Sequence, residues 1–172
     1  MFYLLLVLGV ISRLVPHPAN FVPIGAFLIF YASKRNINQA ALLGLLIMII
    51  SDFYLGFSKI SLFVYLGFIG YLLAGRIFKK KALVLAPFFG SLFFFIVSNF
   101  GVWLGGWYSR SLEGLANCFI AAIPFYKNTL AADLVFTAGI FFVYFVYGKI
   151  TKERGYGPST YRRGISAKSY RG

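Results

Sequence analysis

Very few side chains in this sequence can do chemistry, and where they stand matters more than what they are. The 172 residues include four acids, one histidine and one cysteine. No paired carboxylates, phosphate-binding glycine loop, histidine-containing metal motif or nucleophile beside a base can be found. An enzyme is therefore not expected, and without a nucleotide motif the chain cannot power active transport alone.

Two of the acids, Asp52 and Asp133, lie inside apolar stretches. An ionisable group at membrane depth costs several kcal/mol unless it is paired or wetted, so each calls for a reason. One reason is handling of a ligand, ion or proton; the other is charge pairing with Arg13 or Lys127 that fastens helices together. Thr129, Asp133 and Thr137 are spaced i, i+4, i+8, which puts them on one helix face, and Asn99, Trp103 and Trp107 repeat that spacing. The two stripes can line a ligand pocket, or they can be interhelical hydrogen bonds and an interfacial aromatic belt.

His17 stands between two prolines in PHPAN, outside any regular helix, where it can touch a ligand, pair with an acid or do neither. Cys118 excludes an intrachain disulfide by being alone. As a thiolate it would be a soft ligand, for example to cobalt; as a small buried residue it needs no function, and no metal or cofactor is expected.

The elements that must position these residues are membrane helices. The composition is 60% hydrophobic and 12% charged, where soluble domains run nearer about 25% charged. Apolar segments fall at about 2 to 14, 21 to 33, 40 to 57, 61 to 78, 82 to 104 and 128 to 148. The last four are long enough for a crossing, which takes about 20 residues. The first two are short and flank Pro16, Pro18 and Pro23, so they form a tight pair of short spans or a partly re-entrant hairpin. The apolar N-terminus lacks a preceding basic residue and a cleavage signal, and is expected to be retained. Residues 105 to 127 are expected to carry a short external interfacial helix, capped by Ser111 with Glu113 in its first turn. The fold expected is thus all-α: a polytopic membrane helical bundle of about six transmembrane helices over residues 1–150, followed by a basic, flexible tail over 151–172.

The net charge of +13 is distributed as topology signals, not as one nucleic-acid-binding face. If the six segments alternate across the bilayer, Lys34, Arg35, Arg76, Lys79, Lys80, Lys81, Lys149, Lys152 and the basic tail collect on one side. Arg13, Lys59, Arg110 and Lys127 remain on the other. The positive-inside rule then places both termini in the cytoplasm, in a cytoplasmic (inner) membrane, with the buried polar groups toward the outside. The tail either attracts anionic lipid or an acidic partner, or serves topology alone. Small residues at four-residue spacing (Ala40 with Gly44, Gly70 with Ala74, Gly101 with Gly105) suit close helix packing.

The strings RLVPHPANFVPIGAF, SDFYLGF, SNFGVWLGGWY and AAIPFYKNTLAADLVFT resemble a bacterial membrane-protein family annotated mainly as of unknown function. That family in turn resembles the substrate-binding S components of energy-coupling-factor transporters, including small cobalamin-uptake proteins. The resemblance spans most of residues 12 to 138 and leaves the tail outside. It implies a six-helix bundle that binds a vitamin or similar micronutrient from the outer side, in some relatives with a coupling membrane protein and an ATPase module. On that basis Asn99, Trp103, Asn128 and Asp133 are expected to line an outward pocket, with His17 and Asp52 near its mouth. A structural or assembly protein that recruits a partner through its tail is the alternative, and an ion or proton pathway through Asp52 and Asp133 a third.

Overall fold

The structure is a computed structural model that describes residues 1–78 and 80–153. Among the described residues it is all-helical. The helices are α1 (Phe2–Leu14), α2 (Ile24–Lys34), α3 (Ile37–Leu55), α4 (Ser61–Ile77), α5 (Ala86–Leu104) and α6 (Leu112–Glu153), with a 3-10 segment at Lys80–Leu85 leading into α5. The tail expected beyond this lies outside the described residues from 154 onward.

Local chemistry sets the boundaries. The Asn36 side chain accepts the backbone N–H of Asn38 and caps α3, which ends at Gly56 with φ of 92°. Pro87 occupies the first turn of α5, where a missing N–H costs no helical bond. Ser111 Oγ accepts the N–H of Gly114 at the start of α6, with Glu113 in the first turn as expected. Between α1 and α2 the prolines prevent a helix, and Asn20 turns the chain at a φ of 61°, a conformation asparagine tolerates.

Two compact units divide the chain, Met1–Ala138 and the residues from Gly139. In the first, α2 is central: every residue from Ile24 to Ala32 is buried. Helices α3 and α4 pack against α2, α1 packs on α3, and α5 lies along α4 in the most extensive pairing. Small residues permit these approaches. A Cβ at Gly75 would meet the Ile29 carbonyl of α2 at 2.6 Å, and one at Gly70 would meet the Phe93 side chain at 2.6 Å. In the second unit, α6 continues with Phe142, Phe145 and Tyr147 about two-thirds exposed.

Large apolar side chains also stand exposed on the first unit, among them Tyr3, Phe53 and Leu62. Such a surface suits lipid better than water. Three helical stretches are long and apolar enough to cross a membrane: Ile37–Leu55, Leu83–Leu104 and Leu112–Thr151. The fourth long crossing expected, over 61 to 78, is a 17-residue helix, since Ser61 opens it and Phe78 leaves helical geometry. Helices α1 and α2 are apolar and short, as the sequence indicates.

One expectation needs correction. Residues 112 to 127 do not form a separate interfacial helix before a span starting at 128; they are the first turns of the 42-residue α6. Pro124, Lys127 and Asn128 all lie within this helix. Polar side chains set the depth at which a helix sits, not whether its backbone continues, and a single proline removes one hydrogen bond without ending a helix whose neighbours support it. No glycine intervenes between Gly114 and Gly139 to favour a break.

A cavity backed by a buried carboxyl

Residues of α4, α5 and α6, with Asn20 of the α1–α2 connection and Tyr108 of the α5–α6 connection, line a cavity of about 300 Å³. Its walls are largely aromatic, from Phe94 and Phe95 of α5 and Phe125 and Tyr126 of α6. Phe95 is held edge-on to Phe119 with centroids 5.4 Å apart, and lies 4.9 Å from the Tyr126 ring. Ile60 and Val64 at the start of α4 close one side, and the polar lining comes from Asn20, Ser98, Asn99, Tyr108 and Thr129. Ser98 and Asn99 are oriented by donating to the carbonyls of Phe94 and Phe95, each at 2.7 Å.

A recess of about 40 Å³ adjoins this chamber, and Asn20, Phe94 and Thr129 line both. Asp133 forms part of the recess and is 2% exposed. The Tyr71 hydroxyl donates to Asp133 Oδ2 over 2.5 Å, linking α4 to α6. The tyrosine reaches that position because two glycines make room: a Cβ on Gly25 of α2 would collide with Asp133 Oδ1 and the Tyr71 ring, and one on Gly90 of α5 with the same ring. Four helices thus converge on one carboxyl. Thr129 Oγ1 donates to the Phe125 carbonyl, while Thr137 Oγ1, one turn beyond Asp133, is buried without a partner among the described residues.

Asp52 has a different environment. Its Oδ1 is 2.7 Å from Arg13 Nη2, and its Oδ2 accepts the Tyr65 hydroxyl at 2.7 Å. This joins α1, α3 and α4, and it is the pairing with Arg13 that the sequence offered as an alternative to a ligand role. Asp133 has no such cation among its described neighbours.

The other residues singled out in the sequence take several positions. Asn99 lines the chamber. Trp103 is absent from its lining; its Nε1–H donates to the Ser109 carbonyl at 2.9 Å and pins the α5–α6 connection. Asn128 donates to the Ala19 carbonyl at 3.1 Å and so holds the loop that carries Asn20. His17 is exposed, with Nδ1 2.6 Å from the Val15 carbonyl, and borders neither cavity. Cys118 is buried on the chamber wall with Sγ 3.4 Å from the Asn99 carbonyl. No cluster of three histidine, cysteine or acidic residues exists among the described residues to assist it in holding a metal.

Sequence reasoning missed Tyr71, Tyr65 and Asn20. A signal existed for the first: Tyr71 follows Gly70 within an apolar helix, and a phenol buried there needs a hydrogen-bond partner. What this arrangement can do is enclose a small molecule, with aromatic faces, amide and hydroxyl groups and a carboxyl at its floor. A family model described as a family of unknown function (DUF6580) matches residues 1–154. No curated protein and no solved structure matches the chain.

Proposed function

The chain belongs to DUF6580, a family of unknown function, and we propose that within it this protein is a membrane substrate-binding and uptake protein for a vitamin or similar micronutrient, working in the manner of an energy-coupling-factor S component. It acts by binding and moving its ligand, not by making or breaking bonds. The observation that carries this reading is the aromatic-walled chamber of about 300 Å³ with convergent polar groups. That volume is at the small end of ligand sites, which range over about 300–1,000 Å³, and suits a molecule of one or two rings. A corrin is much larger, so cobalamin is not the ligand expected.

In this reading all six helices span, the three shorter ones supported by their longer neighbours and by local thinning of the bilayer. Both termini are cytoplasmic in the inner membrane, since Lys34, Arg35 and Arg76 stand at the α2–α3 and α4–α5 ends of their helices, opposite the connections that border the chamber. The chamber therefore faces outward. Ligand enters past the α5–α6 connection, that connection closes over it, and the bundle moves against a coupling membrane protein driven by an ATPase module.

Native mass spectrometry of the full chain, extracted in mild detergent, tests the reading. A small molecule is expected to co-purify and to raise the melting temperature when added back. No such molecule, together with no stabilisation by a vitamin panel, would overturn it.

A second reading draws on the Arg13–Asp52–Tyr65 network, which fastens three helices and lines neither the chamber nor the recess. A protein built mainly for such fastening would be a structural or assembly factor that recruits its partner through the basic tail. It requires that removing residues 151 to 172 abolish a partner interaction.

A further inference from the structure

The protein buries two carboxyls in helices and treats them differently. Asp52 is supplied with a cation from its own chain, Arg13 at 2.7 Å. Asp133 is supplied with a hydroxyl, from Tyr71, and no described cation reaches it. A carboxylate at this depth is costly unless a positive group joins it, and Asp133 shares the lining of the recess with Tyr71 and Gly25. The recess is about 40 Å³, too small for a ring and sufficient for an ammonium group.

The recess is not isolated. Asn20, Phe94 and Thr129 belong to its wall and to that of the larger chamber, so the two lie side by side. Where they meet, the wall is aromatic: Phe68, Tyr71 and Phe94 around the recess, then Phe95, Phe125 and Tyr126 beyond. Ring faces attract cations and stack on aromatic frames, and the attraction grows when water is excluded. Lys59, Arg110 and Lys127 stand at the same end but are exposed. Their fields are screened within about 10 Å, whereas an ion pair formed at Asp133 acts in a low-dielectric interior.

Resting on the uptake reading above, we infer that the ligand is a small organic cation: a protonated amine on a one- or two-ring aromatic frame, with the ammonium in the Asp133 recess and the frame in the chamber. Tyr71 is the positioning residue. By occupying Oδ2 it leaves the other carboxylate oxygen for the ligand.

Three matched probes of different charge test this on the full chain in detergent: 2-phenylethylamine, 2-phenylethanol and 3-phenylpropionate, at equal millimolar concentration. The amine is expected to raise the melting temperature, and the alcohol and acid to leave it unchanged. Asp133→Asn should weaken amine binding at least about tenfold, as loss of a buried charge partner does. Ala121→Trp, which fills the chamber and keeps the carboxyl, should abolish it. Should Asp133→Asn fail to fold, the three wild-type measurements still decide. Equal stabilisation by the alcohol or the acid, abolished by Ala121→Trp, would overturn the cationic ligand and leave the binding chamber standing. No response of the wild type to any probe would overturn both.

Discussion

The hydroxyl of Tyr71 and the carboxyl of Asp133 meet at 2.5 Å across 62 positions of sequence, and the meeting depends on two residues with no side chain. Gly25 and Gly90 flank the tyrosine ring, so α2 and α5 approach closely enough to hold it while α4 and α6 provide the bonded groups. Removing the hydroxyl leaves the carboxyl without its donor. Tyr71→Phe should destabilise the fold by about 1–3 kcal/mol, the range for stranding a buried polar group. Thermal unfolding in detergent measures this, and a Tyr71→Phe, Asp133→Asn double-mutant cycle should show coupling; additive losses would mean the bond contributes nothing of its own.

The glycines give a second expectation, with its control in α6. Gly25→Ala and Gly90→Ala each force a methyl into the tyrosine ring, a clash that cannot be relieved by a flexible chain end, and should cost about 1–3 kcal/mol. Gly139→Ala meets nothing within 4 Å. As a mid-helix replacement it should be neutral or stabilising by up to about 1 kcal/mol. Melting temperatures in the opposite order would refute the packing described.

Breaking the other carboxyl network should separate stability from binding. Arg13→Met strands Asp52 and should cost about 3–5 kcal/mol, while Arg13→Met combined with Asp52→Asn should recover much of the loss, because the stranded charge goes with it. Response to the amine probe should be unchanged in the double variant. Loss of that response would tie Asp52 to the ligand site after all.

Cys118 offers a readout of the chamber. Buried on its wall and bonded to the Asn99 carbonyl, the thiol should react slowly with a bulky maleimide in the folded protein and quickly once unfolded. A small methanethiosulfonate should react faster than the maleimide, and a bound ligand should protect against it. Equal rates for both reagents would mean that the wall is open to solvent.

Sidedness follows from single-cysteine labelling in a Cys118→Ala background. With the chamber outward, Lys59→Cys should react with an impermeant reagent added to intact cells, and Lys149→Cys only after the membrane is opened. The reverse pattern would invert the topology and direct the chamber toward the cytoplasm.

Much of the helix layout was legible because hydropathy and turn chemistry agree. Ser111 marks an end that the structure keeps, and the prolines at 16, 18 and 23 delimit the irregular connection between α1 and α2. The start of α6 was misjudged because Lys127 and Asn128 interrupt hydrophobicity but not the backbone. For the site, i, i+4 spacing placed Thr129 and Asp133 on one face, and both line the recess. The same rule grouped Asn99 with Trp103, whose indole turns instead to the Ser109 carbonyl. Spacing assigns a face of a helix; it does not say which neighbour that face will meet. Tyr71 and Gly90 illustrate the limit, since their roles exist only once four helices are together.

The long sequence separations also bear on how the protein is made. A chain emerges N-terminal end first, so α1 to α5 are synthesised before α6 exists. Until then the Ala19 carbonyl lacks Asn128, 109 positions away, and the Tyr71 hydroxyl lacks Asp133. The early helices therefore lack both partners, and α6 brings them five positions apart. Its arrival supplies both and creates the chamber in one step, so an interrupted chain ending before α6 would have helices but no binding site.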